Sequence, residues 1–176
     1  MYAEPWTAAD ATPDHRLRID TTIALGRWIT DDDIIYVADL SCGDGEIAQR
    51  LNSELSSGLP ILGDVAQGPA WYRHHGPIEQ TIDEIPAVDL FVCSETLEHL
   101  DDPDMVLAKI RAKTRYLLAS TPIGEWNPEH NPEHYWGWDV DDFGAMLHQA
   151  GFERIAMTLV YTPPPYLYDY QIWLCQ

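Results

Sequence analysis

Short runs of apolar, largely β-branched residues alternate along the chain with longer stretches in which apolar residues recur at helical spacing. The short runs predict strands over residues 34–40, 60–65, 88–93 and 116–120, with a brief strand near residues 78–82. The longer stretches predict helices over residues 14–29, 46–55, 103–113 and 139–150, and Asp102 and Asp139 are suited to cap the last two. Two more strands, over residues 154–162 and 168–174, are predicted on either side of three consecutive prolines.

This alternation predicts an α/β fold: a doubly wound, mostly parallel sheet with helices on both faces and a C-terminal antiparallel hairpin. The 176 residues suit a single domain, preceded by an arm over residues 1–13. Ligands of such sheets bind beyond the carboxyl ends of the strands, so chemistry is expected at that edge. The pair His74-His75 lies between predicted elements and is expected to be exposed, without a partner.

Charge is the extreme feature of the composition. The 29 acidic residues against 10 basic ones give a net charge of −19 at pH 7, which disfavours binding to bulk nucleic acid. No apolar run reaches the roughly 20 residues of a membrane helix, and residues 1–11 predict no signal peptide. The three cysteines, Cys42, Cys93 and Cys175, form no disulfide framework, so a cytoplasmic protein is expected.

A glycine turn lies directly between a predicted strand and a predicted helix, over residues 37–46. Gly43 and Gly45 allow the backbone to approach a ligand closely, and the following helix offers free N–H groups. Asp64 ends the next predicted strand, where a carboxylate can accept hydrogen bonds from both hydroxyls of a ribose. These features predict a nucleoside-binding site.

The same turn satisfies the loose G-x-G-x-x-A pattern of dinucleotide-binding folds, which is a weak signal by itself. A pyrophosphate there would lie beside Asp44 and Glu46, whose charges repel it. A dehydrogenase also normally has a separate substrate domain, for which 176 residues leave no room. A cofactor with a positive sulfonium group tolerates acidic neighbours far better than NAD does.

The segment Val37 to Glu46 resembles the first motif of class I S-adenosylmethionine-dependent methyltransferases, and the resemblance continues in order along the chain. Further matching segments lie at residues 88–103, 118–122, 131–136 and 142–152. The resemblance implies the Rossmann-like class I methyltransferase fold and methyltransferase activity. Two features depart from the family pattern: Ser41 replaces the usual first glycine, and residues 113–115 replace a Leu-Lys-Pro-Gly-Gly turn.

By this resemblance the cofactor is S-adenosylmethionine, and seven residues are implied to bind it: Asp39, Ser41, Gly43, Asp64, Val65, Glu79 and Ser94. The first three would border its methionine part and ribose. Asp64 would hold the ribose hydroxyls, and Val65 would lie against the adenine. Glu79 is expected near the adenine amino group, and Ser94 would face the methionine part.

A second cluster combines carboxylates and imidazoles. Glu95, Glu98 and His99 would share one face of a helical turn, with His134 brought over the same rim. The set is similar to the E-x-x-E-H plus distal histidine site of small-RNA 3′-end 2′-O-methyltransferases, and ubiquinone-pathway O-methyltransferases share its first part. It could bind Mg²⁺, Mn²⁺ or Zn²⁺, or be scaffold with a buried histidine, and no metal ligand is assigned.

The loop over residues 124–138 follows the fifth strand, where this fold usually shapes its acceptor pocket. Its aromatic residues could line that pocket or cover the sheet edge, and they are Trp126, Tyr135, Trp136 and Trp138. We expect a small-molecule acceptor methylated at oxygen or nitrogen, with His134 as the general base. The alternatives are a non-catalytic cofactor-binding protein and a metal-dependent 2′-O-methyltransferase of a nucleoside or RNA end.

Overall fold

A computed structural model describes residues 6–7, 11–30, 34–66, 68–69, 72–125, 131–166 and 168–176. Within these segments seven strands form one sheet: β1 (Val37–Asp39), β2 (Ile61–Asp64), β3 (His74–His75), β4 (Val88–Ser94), β5 (Thr114–Pro122), β6 (Arg154–Val160) and β7 (Tyr170–Cys175). Their order across the sheet is β3-β2-β1-β4-β5-β7-β6. The pairs from β3 to β5 are parallel, and β7 runs antiparallel to both β5 and β6. The predicted parallel sheet with a C-terminal antiparallel hairpin is therefore confirmed.

Among the described residues, five α-helices cover the two faces of the sheet: α1 (Pro13–Gly26), α2 (Glu46–Leu55), α3 (Ile78–Thr81), α4 (Pro103–Lys113) and α5 (Val140–Gln149). One core includes Ile82, Leu107 and Phe143 and joins α4 and α5 to the sheet. The other includes Ile23 and Leu51 and joins α1 and α2 to it. This two-faced packing is the predicted doubly wound arrangement. None of the helices in the described segments has the length and apolar character needed to cross a bilayer.

Local chemistry sets the helix starts. Asp102 and Asp139 each accept a hydrogen bond from the backbone N–H three residues later, at 2.9 and 2.8 Å. Both predicted caps are confirmed. Gly45 precedes α2 with φ +79°, a left-handed conformation that a glycine adopts without strain. The glycine turn therefore leads directly into α2.

The first strand is shorter than the pattern predicts. Before Val37 the chain does not pair with the sheet through a regular ladder, and the Asp89 carboxylate accepts the backbone N–H groups of Ile35 and Tyr36 at 2.9 Å each. A side chain thus satisfies the N–H groups of these two residues, while the carbonyl oxygen of Tyr36 accepts the backbone N–H groups of Asp89 and Leu90 on β4.

The prediction of a strand near residues 78–82 is wrong, because this segment forms the short helix α3. The strand at this point is β3, formed by His74 and His75, which pairs with β2. The expectation that these histidines lack a partner is also wrong, since His74 Nδ1 lies 3.1 Å from a Glu84 carboxylate oxygen. Gly76 at φ +143° and Pro77 end the strand and start the helix.

Ion pairs join α1 to α2. The three cross-helix pairs have N···O distances of 2.7, 2.6 and 3.0 Å and are Arg16–Glu46, Arg27–Glu54 and Arg50–Asp20. Each is partly exposed, so each contributes little stability by itself. Together with the buried apolar face of α1 they fix the rotation of this helix, and hence which of its side chains face the carboxyl edge of the sheet.

Candidate functional site

Two aspartates and the glycine turn meet at the carboxyl ends of β1 and β2. Asp64 is buried, and its two carboxylate oxygens accept the backbone N–H groups of Gly43 at 2.8 Å and of Ala66 at 2.9 Å. The carboxylate thereby holds the glycine turn against the end of β2. Each oxygen retains a free lone pair with which to accept a further hydroxyl.

Asp39 is the second buried carboxyl group of this edge. It accepts the N–H of Ser41 at 3.1 Å. Burial, together with the nearby charge of Asp64, raises the pKa of Asp39 to about 7, against the opposing effects of the hydrogen bond from Ser41 and of the charge of Arg18. Near neutral pH this carboxyl group is poised between its neutral and charged forms.

The turn itself is tightly enclosed. Gly43 has φ +55°, and a Cβ there would lie 2.8 Å from the backbone oxygen of Trp6. The Tyr72 hydroxyl donates a hydrogen bond to the carbonyl oxygen of Gly43. Trp6 and Tyr72 therefore lie against the turn that the sequence predicts to approach a cofactor.

Both predicted cofactor-facing serines lie at this edge. The Ser41 and Thr96 hydroxyls are 2.7 Å apart. Ser94, at the end of β4, accepts a hydrogen bond of 2.6 Å from Arg18 Nη1 and lies 2.7 Å from the Ser120 hydroxyl. Polar side chains thus run continuously from the glycine turn toward the ends of β4 and β5.

The remaining two predicted cofactor residues lie outside this polar network. Val65 follows β2 directly and is 43% exposed, so an apolar surface is available beside Asp64. Glu79 lies in the first turn of α3, where its backbone oxygen accepts a hydrogen bond of 2.8 Å from Lys109 Nζ. The adenine contacts of Val65 and Glu79 stay predictions.

The carboxylate and histidine cluster is built differently from the predicted helical face. Only Leu97–His99 is helical, as one 3-10 turn, and Glu95 precedes it with φ +52°. The Glu95 side chain therefore does not share a helical face with Glu98 and His99. Its carboxylate accepts the Ser120 hydroxyl at 2.8 Å. Glu98 is fully buried. Its Oε2 accepts the Thr121 hydroxyl at 3.3 Å, while its Oε1 has no hydrogen-bond partner.

Backbone hydrogen bonds bring His134 to this turn. The carbonyl oxygen of Glu98 accepts the N–H groups of Tyr135 at 2.8 Å and of Trp136 at 3.3 Å. As a result the rings of His134 and His99 lie edge to face, with centroids 4.5 Å apart. The predicted approach of His134 to Glu98 and His99 is confirmed by these contacts.

Both histidines have Nδ1 engaged by an oxygen. His134 Nδ1 pairs with a carboxylate oxygen of Glu125, and His99 Nδ1 lies 2.9 Å from the backbone oxygen of Glu133. When Nδ1 donates in this way, Nε2 is left to accept a proton or bind a ligand. One potential ligand atom from each of Glu98, His99 and His134 lies within 4.8 Å of the others.

Burial controls the ionisation of the cluster. Desolvation raises the pKa of Glu95 and raises that of Glu98 well above its usual range, to which the charge of Glu95 adds. Burial also lowers the pKa of His99, and the neighbouring His134 acts in the same direction. Burial therefore favours the neutral forms of Glu95, Glu98 and His99.

The aromatic residues of the loop over residues 124–138 divide between core and surface. Trp138 is buried against Phe143, whereas Tyr135 and Trp136 remain partly exposed. Trp126 lies outside the described residues. The covering of the sheet edge is therefore confirmed for Trp138, and an acceptor-facing role stays a prediction for Tyr135 and Trp136.

Two charged residues of the site, Arg18 and Glu125, were not predicted from the sequence. Arg18 is buried on α1 and contacts Ser94, and Glu125 pairs with His134. A signal for Arg18 exists in the spacing: Asp14, Arg18 and Thr22 recur every four residues and form a polar stripe on the buried face of α1. Glu125 follows no such pattern.

The strand order and the antiparallel C-terminal hairpin define the class I methyltransferase fold. No family model matches the chain, and no curated protein matches its sequence. Its fold is similar to that of magnesium protoporphyrin IX methyltransferase from Synechocystis, with a TM-score of 0.66, 14% identity, and coverage of 92% of this chain and 83% of that one.

Two further solved structures are similar over nearly their whole length. One is 1,6-didemethyltoxoflavin-N1-methyltransferase from Burkholderia thailandensis, with a TM-score of 0.63, 17% identity, and coverage of 97% of this chain and 92% of that one. The other is a SAM-dependent methyltransferase from Archaeoglobus fulgidus, with a TM-score of 0.63, 15% identity, and coverage of 90% and 94%. At these identities the similarity establishes the fold.

Proposed function

We propose that the chain is an S-adenosylmethionine-dependent methyltransferase that modifies oxygen or nitrogen of a small-molecule acceptor. One observation carries the proposal. The glycine turn whose Gly43 N–H is held by Asp64, and which is suited to bind a nucleoside, lies at the same edge of the sheet as the hydrogen-bonded pair of Glu125 and His134. The hydroxyls of Ser94 and Ser120, 2.7 Å apart, connect the two halves. The fold, and the cofactors named with the similar structures, support the same function.

The proposed division of labour follows from the side chains. Asp64 would accept the ribose hydroxyls, and Asp39 would lie near the positive end of the cofactor. The cofactor would supply an electrophilic methyl group on a sulfonium sulfur. Much of the rate enhancement would come from holding the acceptor in line with that methyl group.

His134 is proposed as the general base. Its Nδ1 is held by Glu125, so Nε2 is free to take a proton from an acceptor hydroxyl or ammonium group. The Glu125 carboxylate, whose side chain is largely buried, fixes the orientation of the His134 ring and stabilises the imidazolium that forms when the ring takes a proton. The aspartate of a Ser-His-Asp triad acts on its histidine in the same way. His99 packs against the same ring and limits its movement.

Charge favours a neutral or cationic acceptor. The net charge of −19 would repel a polyanion. Two of the similar solved structures are named for small-molecule acceptors, magnesium protoporphyrin IX and 1,6-didemethyltoxoflavin. These names support a small-molecule acceptor. Oxygen is proposed as the first choice of acceptor atom and nitrogen as the second.

Calorimetric titration tests the cofactor half. Micromolar binding of S-adenosylmethionine and none of NAD is expected, and Asp64→Ala should weaken it by about 1.5–3 kcal/mol, the range for hydrogen bonds to a charged group. Asp141→Ala is a suitable control, because Asp141 is exposed on α5. Unchanged affinity in Asp64→Ala, or preferential binding of NAD, would contradict the assignment of this turn.

A second candidate, metal-assisted 2′-O-methylation of a nucleoside or RNA end, is favoured by one feature. Buried Glu98 has one carboxylate oxygen, Oε1, without a hydrogen-bond partner. A carboxylate oxygen of Glu98 and one ring nitrogen from each of His99 and His134 lie within 4.8 Å of one another, and this donor set fits a divalent ion. Such an ion would polarise an acceptor hydroxyl. Glu98 and the two histidines would hold it, with Glu125 and the Glu133 carbonyl orienting the rings.

Metal binding can be measured without turnover. Titration with Mn²⁺ or Zn²⁺ should raise the unfolding temperature of the wild type, and Glu98→Gln should abolish that increase. Glu95→Gln is the matched control, because Glu95 hydrogen-bonds Ser120 and lies outside the group of three. Equal metal responses in the two variants would exclude this site.

A non-catalytic cofactor-binding protein is the remaining alternative. It would bind S-adenosylmethionine as the enzyme does but release no S-adenosylhomocysteine with any acceptor. A screen of hydroxyl and amine acceptors that follows S-adenosylhomocysteine release distinguishes the two. Product formed with wild type and lost in His134→Ala supports catalysis.

A further inference from the structure

Two buried carboxylate oxygens beside His134 have no hydrogen-bond partner among the described residues. Glu98 is 1% exposed, and its Oε1 is unpaired although its Oε2 accepts the Thr121 hydroxyl. The Glu125 side chain is 5% exposed, and its Oε1 is also unpaired, whereas its Oε2 engages His134 Nδ1. A buried acceptor without a donor is costly, so two of them at one place indicate that a ligand supplies the donors.

Both oxygens belong to one group of contacts around the His134 ring. One potential ligand atom of Glu98 lies within 4.8 Å of a ring nitrogen of His134 and of a ring nitrogen of His99. Glu125 contacts the same His134 ring, and its charge acts on His99. Glu95 adds a third acid to the group: beyond the effect of burial, its charge raises the pKa of Glu98, and the charge of Glu125 raises that of Glu95. The three acids therefore act together on a ligand group bound here.

The chemistry of the cluster favours a cationic donor over a neutral one. Carboxylates only accept hydrogen bonds, and no lysine or arginine in the described segments forms an ion pair with any of the three acids. Arg18 acts on Glu95 and Glu98 through its charge, but its hydrogen bond goes to Ser94. A cation bound beside these acids favours their charged forms. An ammonium group brings this charge together with as many as three N–H donors.

Aromatic rings complete a surface that suits an organic cation. The ring centroid of Tyr168 lies 5.8 Å from that of His134. Burial, together with the charge of Glu125, raises the pKa of Tyr168 to about 12, so its hydroxyl stays uncharged near neutral pH. Tyr135 follows His134 in the chain and is 63% exposed, so a ring next to the cluster is accessible to a ligand. The faces of such rings attract ammonium groups.

We infer that the acceptor carries an amine, protonated at neutral pH, whose ammonium group binds to the carboxylates of Glu98 and Glu125; this inference rests on the proposed function. The ammonium group is the feature by which the acceptor is recognised. The two carboxylates balance its charge and that of the imidazolium formed on His134. Glu98 is then a residue that determines acceptor specificity, while His134 remains the base.

Matched pairs of amines and alcohols test this inference on wild type saturated with S-adenosylhomocysteine, with EDTA present to remove divalent ions. The amines are tyramine, tryptamine and 1,4-diaminobutane, and the alcohols are tyrosol, tryptophol and 1,4-butanediol, in which hydroxyl replaces amine. Calorimetry should give amine dissociation constants about 10- to 100-fold lower than those of the matched alcohols, the range for charge-assisted hydrogen bonds. Equal affinities within the pairs, or binding of none of the amines, would overturn the inference.

Glu98→Gln should remove the preference for amines, because the amide keeps the size of the side chain without its charge, and should change the alcohol affinities by less than about threefold. Glu133→Gln is the matched control, since Glu133 is exposed near the same cluster, and it should keep the wild-type ratio. An unchanged preference in Glu98→Gln would exclude Glu98 as the binding residue. The wild-type ratio decides the inference even if this variant does not fold.

Two further outcomes have distinct meanings. If the amines bind only when Mn²⁺ replaces EDTA, the unpaired oxygens belong to a divalent ion and the inference fails. If wild type does not bind S-adenosylhomocysteine, the proposed function itself is overturned.

Discussion

Replacing His134 by alanine is expected to lower turnover by about 10²- to 10⁴-fold, the usual contribution of a positioned general base, and to leave the affinity for S-adenosylmethionine unchanged. The reason is the geometry of the Glu125–His134 pair. Glu125 holds Nδ1, and Nε2 is the atom free to take the acceptor proton. Neither residue contacts the Gly43–Asp64 turn by a described hydrogen bond, so cofactor binding should not depend on them.

Initial rates of S-adenosylhomocysteine release with an acceptor found by screening, together with calorimetric affinities, measure this effect. His148→Ala is the control, because His148 is exposed on α5. Glu125→Gln should lower turnover as well, since an amide cannot stabilise the imidazolium that forms on His134. Full activity in His134→Ala would show that the base is another group or that the acceptor needs none.

Much of the sheet could be predicted, because the apolar pattern of each long strand or helix is visible in its own residues. The run at β4 is mostly apolar, and α5 combines helical spacing with the cap Asp139. The error at β3 and α3 has a physical cause. A strand of two residues has no period to detect, and Ile78 and Ile82 are both buried, which fits either a strand or one helical turn.

The predictable part of the site is the part that lies at strand ends. Asp39 and Asp64 follow apolar runs, so their position at the carboxyl edge follows from the parallel topology. Arg18 meets Ser94 across 76 positions of sequence, and only the packing of α1 determines that contact. Glu95 was misplaced for a local reason, because its positive φ breaks the helical spacing on which a shared face depends.

Asp39 is expected to make the ligand-free protein less stable at pH 8 than at pH 5. Its pKa is about 7 in the folded chain against 3.8 for an ordinary aspartate, so between those values the folded state binds more protons than the unfolded state. Stability therefore falls as pH rises through this window, and the contribution of the neutral carboxyl group is lost above pH 7. From pH 5 to pH 8 the loss from this group amounts to about 2–3 kcal/mol.

Asp39→Asn isolates this contribution, because asparagine keeps the size and an acceptor oxygen for the Ser41 N–H but does not ionise. Thermal unfolding at pH 5 and pH 8 should show a decrease in midpoint that is larger in wild type than in the variant by about 5–10 °C. Asp20→Asn provides the control, since Asp20 is exposed and pairs with Arg50, and it should behave like wild type. The groups facing Asp39 act in opposite directions, with Asp64 raising its pKa and Arg18 lowering it. If Asp39→Asn and wild type lost the same stability between pH 5 and pH 8, Asp39 would already be ionised at pH 5. The positive sulfonium group of the cofactor would then meet a carboxylate that is charged before binding, rather than cause a neutral carboxyl group to ionise.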